Sequence, residues 1–549
     1  MALVGRIWYS TRMGFFASTK PSRLLLALPF VGLIAPIAAT KVVDLDLWWH
    51  LATGWVIRAL GEIPRNDIFS YSAFGAPWVN HEWLFELGAW FAYDTLGIAA
   101  ITALKVVLTA FTAFLIFRTI SLIAESTGLA LWGTAAMLWA ISTRVMERPY
   151  MLGLCFLALF GLIIHRHMKR GGQLIWVLPA LQVIWINSHG GALLGPQLVL
   201  IAALGESLQR LAARRFGGPD GIPAERIRAL WIAGLATIAA CTINPWGFDT
   251  LLFPFEHLKM EAILSGTEEW LPLLHPHLDN LLTVTFAPVL LGLTLLVFCL
   301  NPGRTRLSNL FLTALMSFLL LKSHRFTPDF VVIVLPVACA GLADLVRKRV
   351  ALRFNSFIPT WINIAVLFAL SAFAMVRGIP VTTDGGRLSD IGIGALDTSA
   401  PARLVDFLEA NDIRGRVFNE MGLGGYLIFR RWPKEKVFID GRTPVFGDEF
   451  YERFVDAFRT GRNFEELERQ YNFDYIVVSG RDIWNQRFFH KYLWERPDWK
   501  LVYMSGDGII YLKDVPRFRA LIEKYGARRN PLVEEIEKDE EKGSPAKNK

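Results

Sequence analysis

Apolar runs of helical length recur through the first 380 residues, at 24–40, 104–117, 129–141, 152–164, 174–186, 192–204, 229–243, 281–300, 310–321, 330–342 and 362–375. A bilayer core takes roughly 20 apolar residues as one helix, so each run is a candidate span, the shorter ones with indefinite ends. Past Met375 no long apolar run returns, and a link over 381–396 leads into segments of mixed period. These predict helices over 402–411, 448–459 and 463–471, strands over 416–419, 436–440 and 475–479, and a hairpin of 499–504 with 508–513. The pattern describes a polytopic α-helical membrane protein of about eleven transmembrane helices, with a transmembrane domain over 1–380 and a soluble α/β domain over 397–533. A charged stretch over 534–549 reads as a disordered tail.

Charge gives the chain its sidedness. Arg6, Arg12, Lys20 and Arg23 flank the first run, which lacks a small-residue cleavage site after it and is read as a retained span with a cytoplasmic N-terminus. Basic clusters at 165–170, 210–228, 304–306 and 347–353 fall on the same side. Alternation then leaves 144–150, 188–191, 244–280, 322–326 and the C-terminal domain outside, as in a multi-pass protein of a bacterial inner membrane with a periplasmic domain. Parity requires 82–118 to cross once, as one long span or as a half-membrane helix followed by a span. The net charge of +8 therefore reports topology, and no nucleic-acid partner is expected. Cys155, Cys241, Cys299 and Cys339 lie in or beside apolar runs, without metal-ligand spacing or a disulfide framework. Phosphate-loop, dinucleotide, zinc and nucleophile-elbow motifs are absent from the sequence.

The first external loop, 42–81, carries the densest chemistry: Asp44-Leu-Asp46-Leu-Trp-Trp-His50, then Trp78-Val-Asn-His81-Glu82 and on to Glu86. Carboxylates beside a membrane are costly unless solvated, paired or on metal, so they mark function. In an extended segment Asp44 and Asp46 point the same way and can share a proton or a divalent cation, Mg or Mn. Asp46 is then a general base or metal ligand with Asp44 as its partner; an N-cap for the helix after it accounts for the spacing equally well. That helix, 47–60, puts Leu47, Trp48, Leu51, Trp55 and Ala59 on one stripe, which places its tryptophans at headgroup depth. His50, off the stripe, joins His81 and Glu82 as acceptor-binding or supporting groups.

Four further outside segments draw notice. Arg148, in Glu147-Arg-Pro-Tyr150, can hold a lipid phosphate or pair with Glu147 or an aspartate. His189 sits in a tight Asn187-Ser-His-Gly-Gly191 connection, where a structural role competes with a place in the vestibule. Glu269, beside Trp270, is a second acid for an acceptor or a cation, weighed against plain loop charge. His324 and Arg325 suit a departing phosphate, and a simple headgroup contact accounts for them equally well. In the C-terminal domain, the glycine run of 419–426 and Asp440-Gly-Arg442 come after predicted strands, in loops where α/β layers place ligands, and packing onto the vestibule or acceptor recognition is the stronger reading.

The run Asp46-Leu-Trp-Trp-His50-Leu, then Gly61-Glu-Ile-Pro64-Arg-Asn-Asp67, then Gly75-Ala-Pro-Trp78 before an acidic apolar helix resembles the first external loop of the GT-C membrane glycosyltransferases. The likeness is nearest to oligosaccharyltransferase catalytic subunits, whose loop carries Asp-Pro-x-Tyr-His-Leu and a Gly-x-Pro-x-x-Asp turn. The architecture also looks like protein O-mannosyltransferases and aminoarabinose transferases. By this resemblance Asp46 matches the loop acid that binds metal or activates the acceptor. The implied reaction moves a sugar from a polyprenyl-phosphate-linked donor to a glycan, lipid or protein acceptor. The chain lacks a Trp-Trp-Asp motif, and His81-Glu82 replaces the usual prolines, which argues against whole-glycan transfer to Asn-x-Ser/Thr sites. The alternatives are a lipid or polysaccharide transporter, and a non-catalytic subunit of a polysaccharide assembly or export system.

Overall fold

The computed structural model describes residues 23–216, 221–275, 281–350, 360–377, 391–480 and 486–541. The membrane-type part is built from α1 (Arg23–Ala38), α2 (Leu47–Leu60), α3 (Trp83–Leu96), α4 (Ile98–Ala124), α5 (Thr127–Ile141), α6 (Pro149–Arg170), α7 (Leu178–Ile186) and α8 (Leu194–Phe216). It continues through α9 (Ala224–Ala240), α10 (Asp249–His257), α11 (Glu261–Gly266), α12 (Leu281–Leu300), α13 (Leu307–Lys322), α14 (Thr327–Val350) and α15 (Thr360–Arg377). Each apolar run of the sequence coincides with a helical segment. Among the described residues, four stretches are long and apolar enough to cross a membrane: Ile98–Ala124, Pro149–Arg170, Gly190–Phe216 and His324–Arg347. Pro29–Ala38, Gln173–Ile186, Thr285–Leu300 and Leu307–Lys322 are shorter apolar helices.

The stretch 82–118 divides at Gly97, whose φ of 63° interrupts the helix while its N–H still donates to Tyr93 O at 2.7 Å. Before this glycine lies the 14-residue α3, which packs on α2; after it runs the long apolar α4. In the bundle α4 lies against α6, α14 crosses α4 and α5, and α8 is flanked by α9 and α13. Lipid supplies little hydrophobic drive between such helices, so close backbone approach matters. At Gly205 a Cβ would fall 2.3 Å from Ser308 Cα, and the absent side chain lets α8 and α13 touch.

The C-terminal region is a mixed four-stranded sheet, β1 (Val417–Asn419), β2 (Tyr475–Ser479), β3 (Trp499–Ser505) and β4 (Gly508–Lys513), in the order β1-β2-β4-β3. The β1–β2 pair is parallel with Val417 opposite Tyr475, and the other pairs are antiparallel. Period-two alternation sends Phe418, Ile476, Val478 and Ile509 into an aromatic layer and Val417, Tyr475, Val477 and Ile510 to the opposite face. Helices Asp448–Thr460, Phe464–Tyr471 and Arg487–Glu495 cover the first layer. Helices Ala402–Ala410 and Met421–Arg431 cover the second, together with Trp48, Trp49, Leu51 and Phe85 of the membrane part. The α/β domain and the first loop therefore share one core.

This docking corrects several expectations. Val437 is not a sheet strand: its N–H donates to Phe69 O and its carbonyl accepts from Tyr71 N, so its partners lie in the first loop. The glycine run after β1 is helical, and its missing side chains let it pack closely: a Cβ on Gly422, Gly424 or Gly425 would fall 2.7 Å from Leu45 Cδ1, 2.2 Å from Ile439 O or 2.8 Å from Leu45 O. Trp48 leaves the headgroup region for the shared core, where its indole donates to Ser399 O at 2.6 Å and its ring packs on Tyr426. The helix Pro531–Glu541 runs into the stretch expected to be disordered, held by buried Leu532, Val533 and Ile536. Residues 391–396 of the expected link bridge to the first loop at Thr40–Ile391 and Val42–Ala395; 381–390 and 542–549 lie outside the described residues.

Candidate functional site

The segment between α1 and α2 places Asp44 and Asp46 at one end of the bundle. Asp44 is buried, and its Oδ1 accepts from the Asp46 backbone N–H at 2.9 Å. Asp46 occupies the cap position of α2 without a side-chain capping bond; its Oδ1 accepts instead from Trp49 Nε1 at 3.2 Å. Arg148, at the start of α6, lies across both acids, with Nε 2.5 Å from Asp44 Oδ2 and Nη2 3.1 Å from Asp46 Oδ2. The pairing of Arg148 with aspartate, one of its two sequence readings, is the geometry seen. Beneath it, Glu147 is joined to Lys105 of α4, and it accepts from the Val43 and Asp44 backbone N–H groups at 3.4 Å.

The other side of Arg148 faces Glu269, whose Oε2 is 3.7 Å from Arg148 Nη1 and 2.6 Å from Arg144 Nη1, while Oε1 pairs with Arg325. Glu269, Arg148 and Arg325 thus come together. His324 does not join them: its Nε2 is bonded to Glu268 O at 2.8 Å, which directs the ring to backbone.

A second group lies one helical turn along. His50, buried, sits 3.2 Å from Glu86 Oε1 through Nδ1, and Asn80 donates to Glu86 Oε2 at 2.6 Å. Glu82 stands between His50 and His81, at 4.0 and 3.8 Å from their Nε2 atoms. His189 is packed flat against Gly153, its Nδ1 accepts from Gly191 N at 3.1 Å, and burial depresses its pKa to about 3. A neutral imidazole so enclosed supports the turn it caps.

Electrostatics separate these carboxyl groups. Burial raises the Asp46 pKa, with Arg148 opposing and Asp44 reinforcing the shift. Burial also opposes ionisation of Glu269, but Arg325, Arg144 and Arg148 outweigh it and hold the carboxyl well below the usual range. For His50 the order is similar: burial disfavours charge, the Glu86 bond and the Glu82 charge win, and the pKa rises. Burial opposes ionisation of Glu82 as well, but His81 and His50 beside it keep its carboxyl below the ordinary value.

The four oxygens of Asp44 and Asp46 are all engaged by protein donors, and the guanidinium of Arg148 stands where a cation bridging them would sit. Among the described residues no group of three or more His, Cys, Asp or Glu side chains is arranged to hold a metal. The donor set therefore does not fit Mg or Mn unless Arg148 leaves.

The α/β domain closes the site. A Cβ on Gly441 would lie 2.1 Å from Asp46 Oδ1. Its neighbour Arg442 is buried between Asp440 and the loop's Asp67, with Nη2 at 2.7 and 2.6 Å, and its guanidinium lies over Trp78. Sequence patterning assigns no individual role to Arg442, Asp67, Arg144 or Lys105. Two of them carry a legible signal, Lys105 as a cation inside an apolar run and Asp67 as the acid of the Gly61–Asp67 turn.

The fold has counterparts among solved structures. It aligns with the archaeal oligosaccharyltransferase AglB from Archaeoglobus fulgidus in complex with an inhibitory peptide and a dolichol-phosphate, at a TM-score of 0.52 and 9% identity, over 90% of this chain and 75% of that one. The A. fulgidus oligosaccharyltransferase tethered with an acceptor peptide containing the NVT sequon aligns at 0.52 and 11% identity, over 90% and 74%. ArnT from Cupriavidus metallidurans bound to undecaprenyl phosphate gives 0.45 and 13%, over 89% and 97%. No protein-family model matches the chain, and no curated protein matches it in sequence. The chain has a GT-C-like fold, shared with the oligosaccharyltransferase structures over 90% of its length.

Proposed function

We propose that this protein is a membrane glycosyltransferase that moves a sugar from a polyprenyl-phosphate-linked donor to a periplasmic or lipid-linked acceptor, on the outer face of a bacterial inner membrane. The observation that carries the reading is Asp46, a carboxylate of raised pKa at the end of the bundle, paired on one side with Arg148 and enclosed on the other by the α/β domain. The fold likeness supports the class, and the dolichol-phosphate in the AglB complex supports the type of donor.

In this reading Asp46 takes the proton of the acceptor hydroxyl as its oxygen attacks the anomeric carbon, and the bond from that carbon to the donor phosphate breaks. A single displacement inverts the anomeric centre. Arg148, Arg144 and Arg325 meet the charge that develops on the departing phosphate. Asp44 and the Lys105–Glu147 pair fix Arg148 from behind. His50, His81 and Glu82 line the approach of the acceptor. Arg148 supplies the positive charge between the two acids.

The test is complementation of a deletion strain with Asp46→Asn. The reading expects the polyprenyl-linked sugar to accumulate, or a surface glycan to be lost, as in the deletion. Full rescue by the variant defeats it.

A further inference from the structure

Glu269 does not belong to the elements that hold its arginines. Arg144 and Arg148 precede α6 and Arg325 precedes α14, while Glu269 reaches in from the segment between α11 and α12. That segment is tethered to the α/β domain. Asp448, at the head of the helix Asp448–Thr460, accepts from Ala262 N and Ile263 N at 3.0 and 2.9 Å, and Gly266 packs directly on the Tyr451 ring. The next turn is fixed by Ser323 Oγ donating to Glu269 O at 2.9 Å and by Arg325 lying 4.6 Å over the Trp270 ring.

Three guanidinium groups around one carboxylate have the charge and the donor array that a phosphate group takes. A carboxylate offers two oxygens and one charge, and a terminal phosphate offers three oxygens and up to two charges. Glu269 does not saturate the cradle, since the buried Nε–H of Arg144 has no acceptor among the described residues. Asp44 and Asp46 pull Arg148 the other way, which leaves its contact with Glu269 at 3.7 Å, beyond hydrogen-bond reach.

We propose that Arg144, Arg148 and Arg325 form a phosphate site whose internal occupant is Glu269, and that a donor phosphate binds by displacing it. The tether through Asp448 makes the α/β domain the carrier of this occupant. The inference rests on the donor reading above and adds a competition that the reading does not require: a Glu269 that merely positions the arginines serves transfer equally well.

The experiment measures affinity of the purified full-length protein in nanodiscs for undecaprenyl phosphate, with undecaprenol and inorganic phosphate as parallel probes. Glu269→Gln keeps the shape and removes the competing charge, and it binds undecaprenyl phosphate about tenfold tighter than wild type. Asp448→Ala leaves the cradle intact and loosens its occupant, so it moves affinity the same way by less, and it stands in if Glu269→Gln fails to fold. Inorganic phosphate gains in parallel and undecaprenol gains nothing. A gain shared by undecaprenol belongs to the tail and overturns the proposal. Equal or weaker phosphate binding by Glu269→Gln, with wild type binding well, overturns it and leaves the donor reading standing. Absence of phosphate binding in every variant overturns both.

Discussion

Gly441 touches Asp46: a methyl group on Gly441 would sit 2.1 Å from Oδ1 of that carboxylate and 3.1 Å from Trp49 Nε1. The α/β domain thus reaches the acid through a residue with no side chain. Neither neighbour can yield easily, because Asp46 is held by Trp49 and Arg148 and the turn bearing Gly441 is locked by Arg442 onto Asp67. Gly441→Ala is expected to lower sugar transfer by roughly 100-fold, the scale that goes with displacing a reacting group by about an ångström. Transfer assays beside thermal unfolding check this, and undiminished turnover in a folded variant would show that Asp46 tolerates displacement.

The docking itself depends on a buried charge. Arg442 lies between Asp67 and Asp440 and under the rings of Phe69 and Trp78, all sheltered from water. Arg442→Met leaves two buried carboxylates facing one another without a cation, which costs about 3–5 kcal/mol. Asp67→Asn is expected to cost less, since Asp440 keeps its bidentate hold on the guanidinium. Chemical unfolding of both variants, followed by tryptophan fluorescence, measures the difference; equal losses would place the docking energy elsewhere.

The elements that were legible in the sequence are those whose burial pattern is local. Tyr475–Ser479 alternates between two cores, and the hairpin turns at Gly506 and Asp507, so neighbours along the chain carry the signal. Asp46 draws notice through the motif around it, and its role belongs to the proposal. The features that escaped depend on partners far away in sequence. The glycines of 421–425 look like a loop until Leu45, Trp49 and Ile439 are known to lie against them. Val437 reads as a sheet strand because it is extended and apolar, but its hydrogen bonds go to residues more than 360 positions earlier. The tryptophan stripe of α2 matches a membrane surface as well as a protein core, and the α/β domain decides between them.

Sidedness is open to direct measurement. Arg414 lies on the exposed surface of the α/β domain, where its ion pair with Asp412 also faces solvent. Among the four cysteines Cys299 is exposed, so the probe belongs in a Cys299→Ser background. Arg414→Cys is expected to react with a membrane-impermeant maleimide in intact spheroplasts as fully as after lysis. Reaction only after lysis would put the domain in the cytoplasm and remove the outer-face reaction.

The acid limb of the pH profile distinguishes Asp46 from the carboxylates around it. Burial raises its pKa, Arg148 and His50 oppose the rise, and Asp44 adds to it. A general base works ionised, so the rate falls as pH drops through this raised value, at a higher pH than an ordinary aspartate would give. Removing each neighbour should move that limb in a predictable sense. Asp44→Asn deletes a negative charge and shifts the limb of kcat/KM to lower pH. Arg148→Met deletes the positive charge and shifts it to higher pH, while also lowering the plateau through the lost phosphate contact. Position and height of the profile are separate readouts, so damage to phosphate binding does not mask the shift. Glu269 is held ionised by its arginines and titrates well below this range, so it cannot produce the limb. Shifts in one common direction, or none, would mean that another group is the base.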